Sequence, residues 1–350
     1  MSLRYKNPDD HLYYNALFSN DTDVQRNAFF TETRTSPILL NPSLYHLALI
    51  RFTIPTFAIP LFVWPTLANG TTPNNNYWSF TFEYAGVIRR KFVTYLNWSN
   101  SVIPSVYSYQ NFIDACNICL NECYLQMVAD APGFPALAHN PPYIIYDPAT
   151  QILSLVAETS YLCNDPLSIG IKIYSNFLLN QFFDPVPNIM IATNSVDGRD
   201  SLFVIEPTGN NNSTTNNPIG LYPANNAYSM SSQYEILNNW SSLKSLIVTS
   251  SNLRTKEEYV QTRTTINSDS TLQIITDFEP SRDYPGYSRA WQQYNADIYR
   301  YIDLQSTEPL RTIDLQIFWT DLQGKIYPLL INPQTYFTIK LLFTQKDSIH

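Results

Sequence analysis

Cys116, Cys119 and Cys123 fall in a C-x-x-C-x-x-x-C spacing, with Cys163 further along the chain. Thiolates are zinc ligands, and three on one helical face with Cys163 or a histidine as the fourth would close a tetrahedron. The same residues also serve as small apolar packing groups, because unpaired cysteine is among the most buried residue types. Packing is the better reading, since ribbon-type zinc sites set C-x-x-C pairs on turns and no second pair exists here. The segment 1–8 is polar, without the apolar stretch of a secretory leader, which places synthesis inside a cell and argues against structural disulfides.

The other chemically capable residues form no signature. His11, His46, His139 and His350 are the only histidines, none in an H-E-x-x-H motif, and no G-x-S-x-G, G-x-x-x-x-G-K-[ST] or G-x-G-x-x-G run occurs. Asp21 and Asp23 begin like a calcium loop, but Gln25 and Arg26 break the EF-hand spacing and leave a turn. Asp277 and Glu279 could pair for acid–base work, although their setting reads as a strand running into a loop. Asp197-Gly198-Arg199-Asp200 is a turn. No catalytic, cofactor-binding or metal-binding residue is assigned.

Composition narrows the partners. Charged residues make up 14% of 350, about half the usual share of roughly 25%. Aromatic residues reach 14%, which suits strands and contact surfaces. A net charge of −8 with no Lys/Arg run repels a phosphate backbone, so direct nucleic-acid binding is excluded. The most apolar stretch, 52–64, is broken by Pro55 and Pro60 and cannot span a membrane.

The elements that hold these residues are mostly strands. Ile313, Leu315, Ile317 and Trp319 alternate with polar residues, and a turn at 321–324 leads to a partner strand at Ile326. Phe337, Ile339, Leu341 and Phe343 define a third strand, and further strands are expected at 11–18, 44–53, 77–84 and 86–96, the last two joined at Ala85-Gly86. The cysteines lie on a helix over 107–128, with Ser108 as its cap. A hairpin at 143–156, a strand at 169–174 and a short helix at 175–183 follow. The Asn-rich stretch 208–226 reads as a flexible loop, and 1–10 as an amino-terminal arm that orders only on contact.

The block Tyr13-Tyr14-Asn15, the strand from Asn41-Pro42-Ser43-Leu44-Tyr45 to Phe52, the block Pro142-Tyr143-Ile144-Ile145-Tyr146-Asp147-Pro148, the segments 239–246 and 276–280, and the run from Pro309-Leu310-Arg311 to Trp319 resemble the penton, or minor capsid, proteins of virophages and polinton-like viruses. The resemblance implies a mainly β chain: a single jelly-roll β-barrel of the viral capsid type from 11–100 and 225–345, with an α+β domain inserted at 105–224 and projecting outward. It further implies homopentamers, assembled in the host cell, that close the five-fold vertices of an icosahedral double-stranded-DNA virus shell. Their neighbours would be trimers of a double jelly-roll major capsid protein, and the insertion would be the part open to a host receptor. Two other classes stay open: a trimeric spike or fibre-like receptor-binding virion protein, and a jelly-roll carbohydrate hydrolase. The hydrolase would need exposed tryptophans among Trp64, Trp78, Trp98, Trp240, Trp291 and Trp319 beside two carboxylates.

Overall fold

A computed structural model describes residues 11–54, 60–97, 103–134, 138–207, 227–234, 243–259, 271–278, 291–294, 300–322 and 324–346. The expected arm at 1–10, the stretch 208–226, Trp98, Trp240, Glu279 and His350 lie outside the described residues. The chain divides into two compact units, Met1–Pro60 with Ser242–His350, and Leu61–Ser241.

The first unit opens with β1 (His11–Asn20), β2 (Phe29–Thr33) and β3 (Tyr45–Ile54). The second unit then supplies β4 (Ser79–Tyr84), β5 (Val87–Phe92), α1 (Tyr109–Asp130), β6 (Tyr143–Asp147), β7 (Ile152–Glu158), β8 (Lys172–Ser175), α2 (Phe177–Phe183), β9 (Asn188–Met190), β10 (Ser201–Phe203) and β11 (Ala227–Ser231). The chain returns to the first unit with β12 (Leu243–Thr249), β13 (Ile274–Phe278), β14 (Trp291–Tyr294), β15 (Ile302–Asp303), β16 (Thr312–Asp321), β17 (Ile326–Pro328) and β18 (Thr335–Gln345).

In the first unit one sheet runs β1-β18-β3-β14, with β15 also on β3, and the other runs β13-β12-β16-β17, with β2 also on β16. Counting β1, β2, β3, β12, β13, β14, β16 and β18 as successive barrel strands, the sheets read first-eighth-third-sixth and second-seventh-fourth-fifth. This is the jelly-roll order of two interlocked Greek keys. Alternation fixes which face is inside: in β1, Tyr14, Ala16, Phe18 and Asn20 are buried, while Tyr13, Asn15, Leu17 and Ser19 are exposed. The sheets meet through stacked rings, Phe52 of β3 on Phe278 of β13 at 5.2 Å and, within the first sheet, Phe18 on Phe337 at 4.7 Å.

The second unit has a five-stranded sheet, β9-β10-β8-β4-β5, and a three-stranded sheet, β11-β7-β6. Helix α1 packs on strands of both. Its buried side carries Phe112, Ile113, Cys116, Cys119, Leu120, Cys123 and Met127. Asn117 pins it to the smaller sheet by accepting from Ile144 N at 2.7 Å and donating to Ile144 O at 3.0 Å. Ser108 has the extended backbone of an N-cap but makes no side-chain capping bond. The cap of α2 is made, with Asn176 Oδ1 accepting from Leu179 N at 3.2 Å and from Ser79 N at 3.1 Å.

These boundaries correct the sequence expectation, in which 11–100 and 225–345 formed the barrel and 105–224 the insertion. Residues 61–100 and 225–241 belong to the inserted unit. The reason is pairing: β4 bonds to β8 with Phe80 opposite Ser175, and β11 bonds to β7 with Met230 opposite Leu155. Alternation marks a strand without saying which sheet it joins.

Candidate assembly surfaces

The structure disperses the residues that could have done chemistry. Cys116, Cys119 and Cys123 are fully buried in the aromatic core of the inserted unit. Burial pushes the Cys116 and Cys123 thiols well above their usual range, so they remain protonated. Cys163 sits apart from them in a small cluster with Tyr174 and Leu202, its Sγ 3.2 Å from Ser168 Oγ. Among the described residues no three His, Cys, Asp or Glu side chains converge as metal ligands.

The histidines are spread over both units. His11 Nδ1 meets Thr344 Oγ1 at 3.2 Å, His46 Nδ1 lies 2.8 Å from Asp303 Oδ1, and His139 donates its backbone N–H to Glu158 at 2.8 Å. Asp21 and Asp23 flank a turn held by the buried Asn20, whose Nδ2 donates to Val24 O and Ile331 O. Asp277 pairs with Arg300 at 3.2 Å. The described tryptophan side chains, Trp64, Trp78 and Trp319, are buried, so none offers a sugar-stacking face. A polar cleft of about 240 Å³ in the barrel unit, bordered by Asn252, Arg254, Ser306 and Arg311, lacks the apolar walls of a small-molecule pocket.

Two polar networks escaped sequence reasoning because their members are far apart in the chain. In the inserted unit Glu83 of β4 receives Arg199 Nη1 at 2.9 Å, the Tyr174 hydroxyl at 2.9 Å and Lys172 Nζ at 3.5 Å. Burial opposes ionisation of Glu83, but these partners outweigh it and hold the carboxyl below its usual range. The turn 197–200 is lashed down at the same place: Asp200 accepts from Phe177 N at 2.8 Å and Ser195 N at 2.6 Å. Gly198 adopts φ +75, a conformation that favours glycine, and a Cβ there would meet Arg90 Nε at 2.8 Å and Ser79 Oγ at 2.9 Å, so the Arg90–Ser79 contact would have to shift. In the barrel unit Asp314 accepts from Ser250 Oγ, Ser251 N, Ser251 Oγ and Asn252 N at 2.6–3.0 Å. Burial again opposes ionisation, and these four bonds again hold the carboxyl low. Both networks are satisfied internally, so each fixes a loop instead of awaiting a ligand.

What remains available is surface. On the barrel unit Tyr13, Leu17 and Tyr336 stand out from the β1-β18-β3 sheet, and Phe29 from β2. On the inserted unit Leu167 and Ile169 are 88% and 93% exposed on a loop closed by Leu167 N donating to Asp165 Oδ1 at 2.9 Å and Ser168 N to Asp165 O at 3.0 Å. Scattered apolar residues are normal on a surface, and these are among the exposed large apolar groups that the two units present.

Comparison with known proteins agrees with a surface-based role. The V18-19 family, described as Sputnik minor capsid protein V18/19, matches residues 12–105 and 100–345. Structural protein V19 of Sputnik virophage is 30% identical over 205 residues, which span 58% of this chain and 93% of that protein. A chain in the 3.5 Å resolution cryo-EM structure of the Sputnik virophage superposes with a TM-score of 0.76 at 28% identity, over 97% of this chain and 98% of the other. The crystal structure of the mavirus penton protein matches with a TM-score of 0.65 at 15% identity, over 95% and 99%, a likeness of fold. With the family match reaching from residue 12 to residue 345 across a jelly-roll barrel and its insertion, the chain is a structural protein of the virion and belongs to the Sputnik V18/19 minor capsid protein family.

Proposed function

We propose that five copies of this chain form a ring that closes the five-fold vertices of an icosahedral double-stranded-DNA virus shell. In this reading the ring sits among trimers of a double jelly-roll major capsid protein, and the inserted unit carries the surface offered to a host receptor, with Leu167, Ile169 and Val196 among its most exposed side chains. The observation that carries the proposal is the likeness to a chain of a virion over 97% of this one, on a jelly-roll unit. The role is mechanical and not enzymatic: the described tryptophans pack inward, the carboxylate networks hold loops, and the thiols are sealed in a core. A head-to-tail ring needs two different complementary faces on each copy, and both sheets of the barrel unit have an outer face to offer.

The test is the mass of the purified assembly by native mass spectrometry across a range of concentrations. A species of five chains is expected, appearing with the shell protein or alone. A stable trimer in both settings would replace the vertex role by that of a spike.

A further inference from the structure

A backbone nitrogen attacks the side-chain carbonyl of a preceding Asn or Asp most readily when the attacking residue is glycine, which carries no side chain to crowd the approach. Of the nine glycines only Gly70 and Gly198 follow such a residue, in Asn69-Gly70 and Asp197-Gly198. The two pairs are set in opposite states. Arg199 holds Asp197 Oδ2 through Nη2 at 2.6 Å and Nε at 2.8 Å, Thr81 Oγ1 donates to the Asp197 carbonyl at 2.7 Å, and Gly198 is buried. The hydrogen bond from Arg199 keeps that carboxyl below its usual range, and a carboxylate is a poor target for a nucleophile. Asn69 lies instead in a turn over 67–72 that is exposed along its whole length, and a Cβ added at Gly70 would meet nothing within 4 Å. Leu67 N donates to Thr72 O and Gly70 N donates to Leu67 O, both at 2.9 Å. Within this frame Asn69 Oδ1 accepts from Thr71 N at 3.2 Å and Thr72 N at 3.0 Å, while Nδ2 donates to Thr72 Oγ1 at 2.6 Å.

We propose that Asn69 is a self-modifying site, deamidated by its own turn without an enzyme. Two backbone donors on Oδ1 draw electrons from Cγ and stand where negative charge grows as a nucleophile adds. The Thr72 hydroxyl beside Nδ2 both accepts and donates, so it can turn its proton toward the amide nitrogen as that nitrogen leaves. In the step, Gly70 N bonds to Asn69 Cγ and gives up its proton, the Cγ–Nδ2 bond breaks, and the amide departs with that proton as ammonia. A five-membered succinimide remains. Water opens either of its carbonyls, leaving aspartate on the original backbone or iso-aspartate with one extra backbone methylene. The Gly70 N bond to Leu67 O opens first, and in an exposed turn water replaces it. Aspartate retains an acceptor for Thr71 N and Thr72 N, whereas the lengthened backbone of iso-aspartate breaks the closure of 67–72. Either product adds one negative charge to a chain of net −8. The inference stands apart from the vertex reading and holds for the free chain.

The experiment incubates the purified full chain in water enriched in heavy oxygen, in dilute buffer and in guanidinium, and follows each Asn and Asp by peptide mass spectrometry. Asn69 should convert at least about tenfold faster than any other asparagine. Its rate should climb from about pH 6 to about pH 9, because the attacking nitrogen must lose its proton. The folded chain should convert Asn69 faster than the unfolded one, and Asp197 should take up heavy oxygen only in guanidinium. Thr72→Val, which removes the hydroxyl beside Nδ2, should slow the folded chain about threefold or more and leave the rate in guanidinium unchanged. Thr72→Ser, which keeps the hydroxyl, should retain the wild-type rate, and the melting temperature of each variant shows that it folds. Slower conversion of Asn69 in the folded chain than in guanidinium would mean that the turn protects the amide, and would overturn the proposal. An asparagine elsewhere that converts first would overturn it too, as would equal folded rates for wild type and Thr72→Val.

Discussion

In the barrel unit the longest pairings join the two ends of the chain: His11 faces Thr344 across β1 and β18, and Tyr45 faces Gln345 across β3 and β18. In the inserted unit the longest pairings are mostly local, with Ser79 facing Phe92 and Ile152 facing Asp147, and its core of Phe62, Trp64, Trp78, Phe80, Phe112 and Phe183 lies within Leu61–Ser241. One unit is therefore contiguous and has its own core, while the other exists only once residues on either side of that unit have met. The cost of the long closure is modest, because loop entropy grows only by about 0.6 kcal/mol per doubling of length. Its effect falls on order of formation, since local contacts form before distant ones. The insertion can thus vary its exposed loops without touching the strands that build the wall.

The harshest way to break this contrast is to delete Thr335–Gln345. Strand β18 pairs with both β1 and β3, so its loss should abolish the barrel unit while hydrogen-exchange protection persists in α1 and β4. Loss of protection in both units would mean that the inserted unit depends on the barrel.

A gentler pair of substitutions sharpens it. Phe112, on α1, is fully buried against Phe62, Trp78 and Phe182, and Phe52, on β3, is fully buried against Phe278. Replacing either by Ala should cost about 3–5 kcal/mol, the usual range for emptying such a site. Phe112→Ala should lower only the unfolding transition assigned to the inserted unit, and Phe52→Ala only that of the barrel, as read by exchange protection in each.

Acid should weaken both units through different residues. Asp314 and Glu83 have carboxyls held below the usual range when folded, so their contribution is complete above the unfolded value near pH 4 and is lost as pH falls through the folded value. Asp314→Asn would leave the donors of Ser251 and Asn252 poorly matched and cost about 1–3 kcal/mol near neutral pH. It should also flatten the barrel's acid-side slope between pH 5 and 3 and leave that of the inserted unit in place. Glu83→Gln should do the converse. Urea titrations at several pH values read both.

What the sequence made legible follows from the range of each signal. The β16–β17 hairpin, β18, α1 and the β6–β7 hairpin were all expected from patterns within about twenty residues, and Ile317, Phe343, Cys119 and Leu155 face inward as their alternation or helical spacing implies. The cysteine stripe shows its meaning once placed: Cys116, Cys119 and Cys123 share one face of α1 because that face is the core, while Cys163 belongs to another cluster. Illegible were the relations between segments. That β4 joins β8, that Arg199 reaches Glu83, that Ser250 and Ser251 close on Asp314, and that Arg51 lands opposite Lys340 all depend on register between distant strands, which no local period encodes.

The smallest effect concerns a turn that pattern reading located but did not evaluate. Ala85 and Gly86 link β4 to β5, with Tyr84 paired to Val87, and both have positive φ, 48° and 80°. A two-residue hairpin of this hand twists with its strands and asks for left-handed backbone at both central positions. Gly86 meets that demand freely. Ala85 meets it against the clash of its Cβ with the carbonyl, whereas Asn tolerates the conformation and is the residue most favoured there. Ala85→Asn should therefore stabilise the inserted unit by about 0.5–1 kcal/mol, and Gly86→Ala should destabilise it by a similar amount or more. Because the turn joins neighbouring strands of a unit that forms from local contacts, the gain should appear in its transition alone. A shift of the barrel's transition with Ala85→Asn would show that the two units unfold together and that the contrast between them is one of chain order and not of stability.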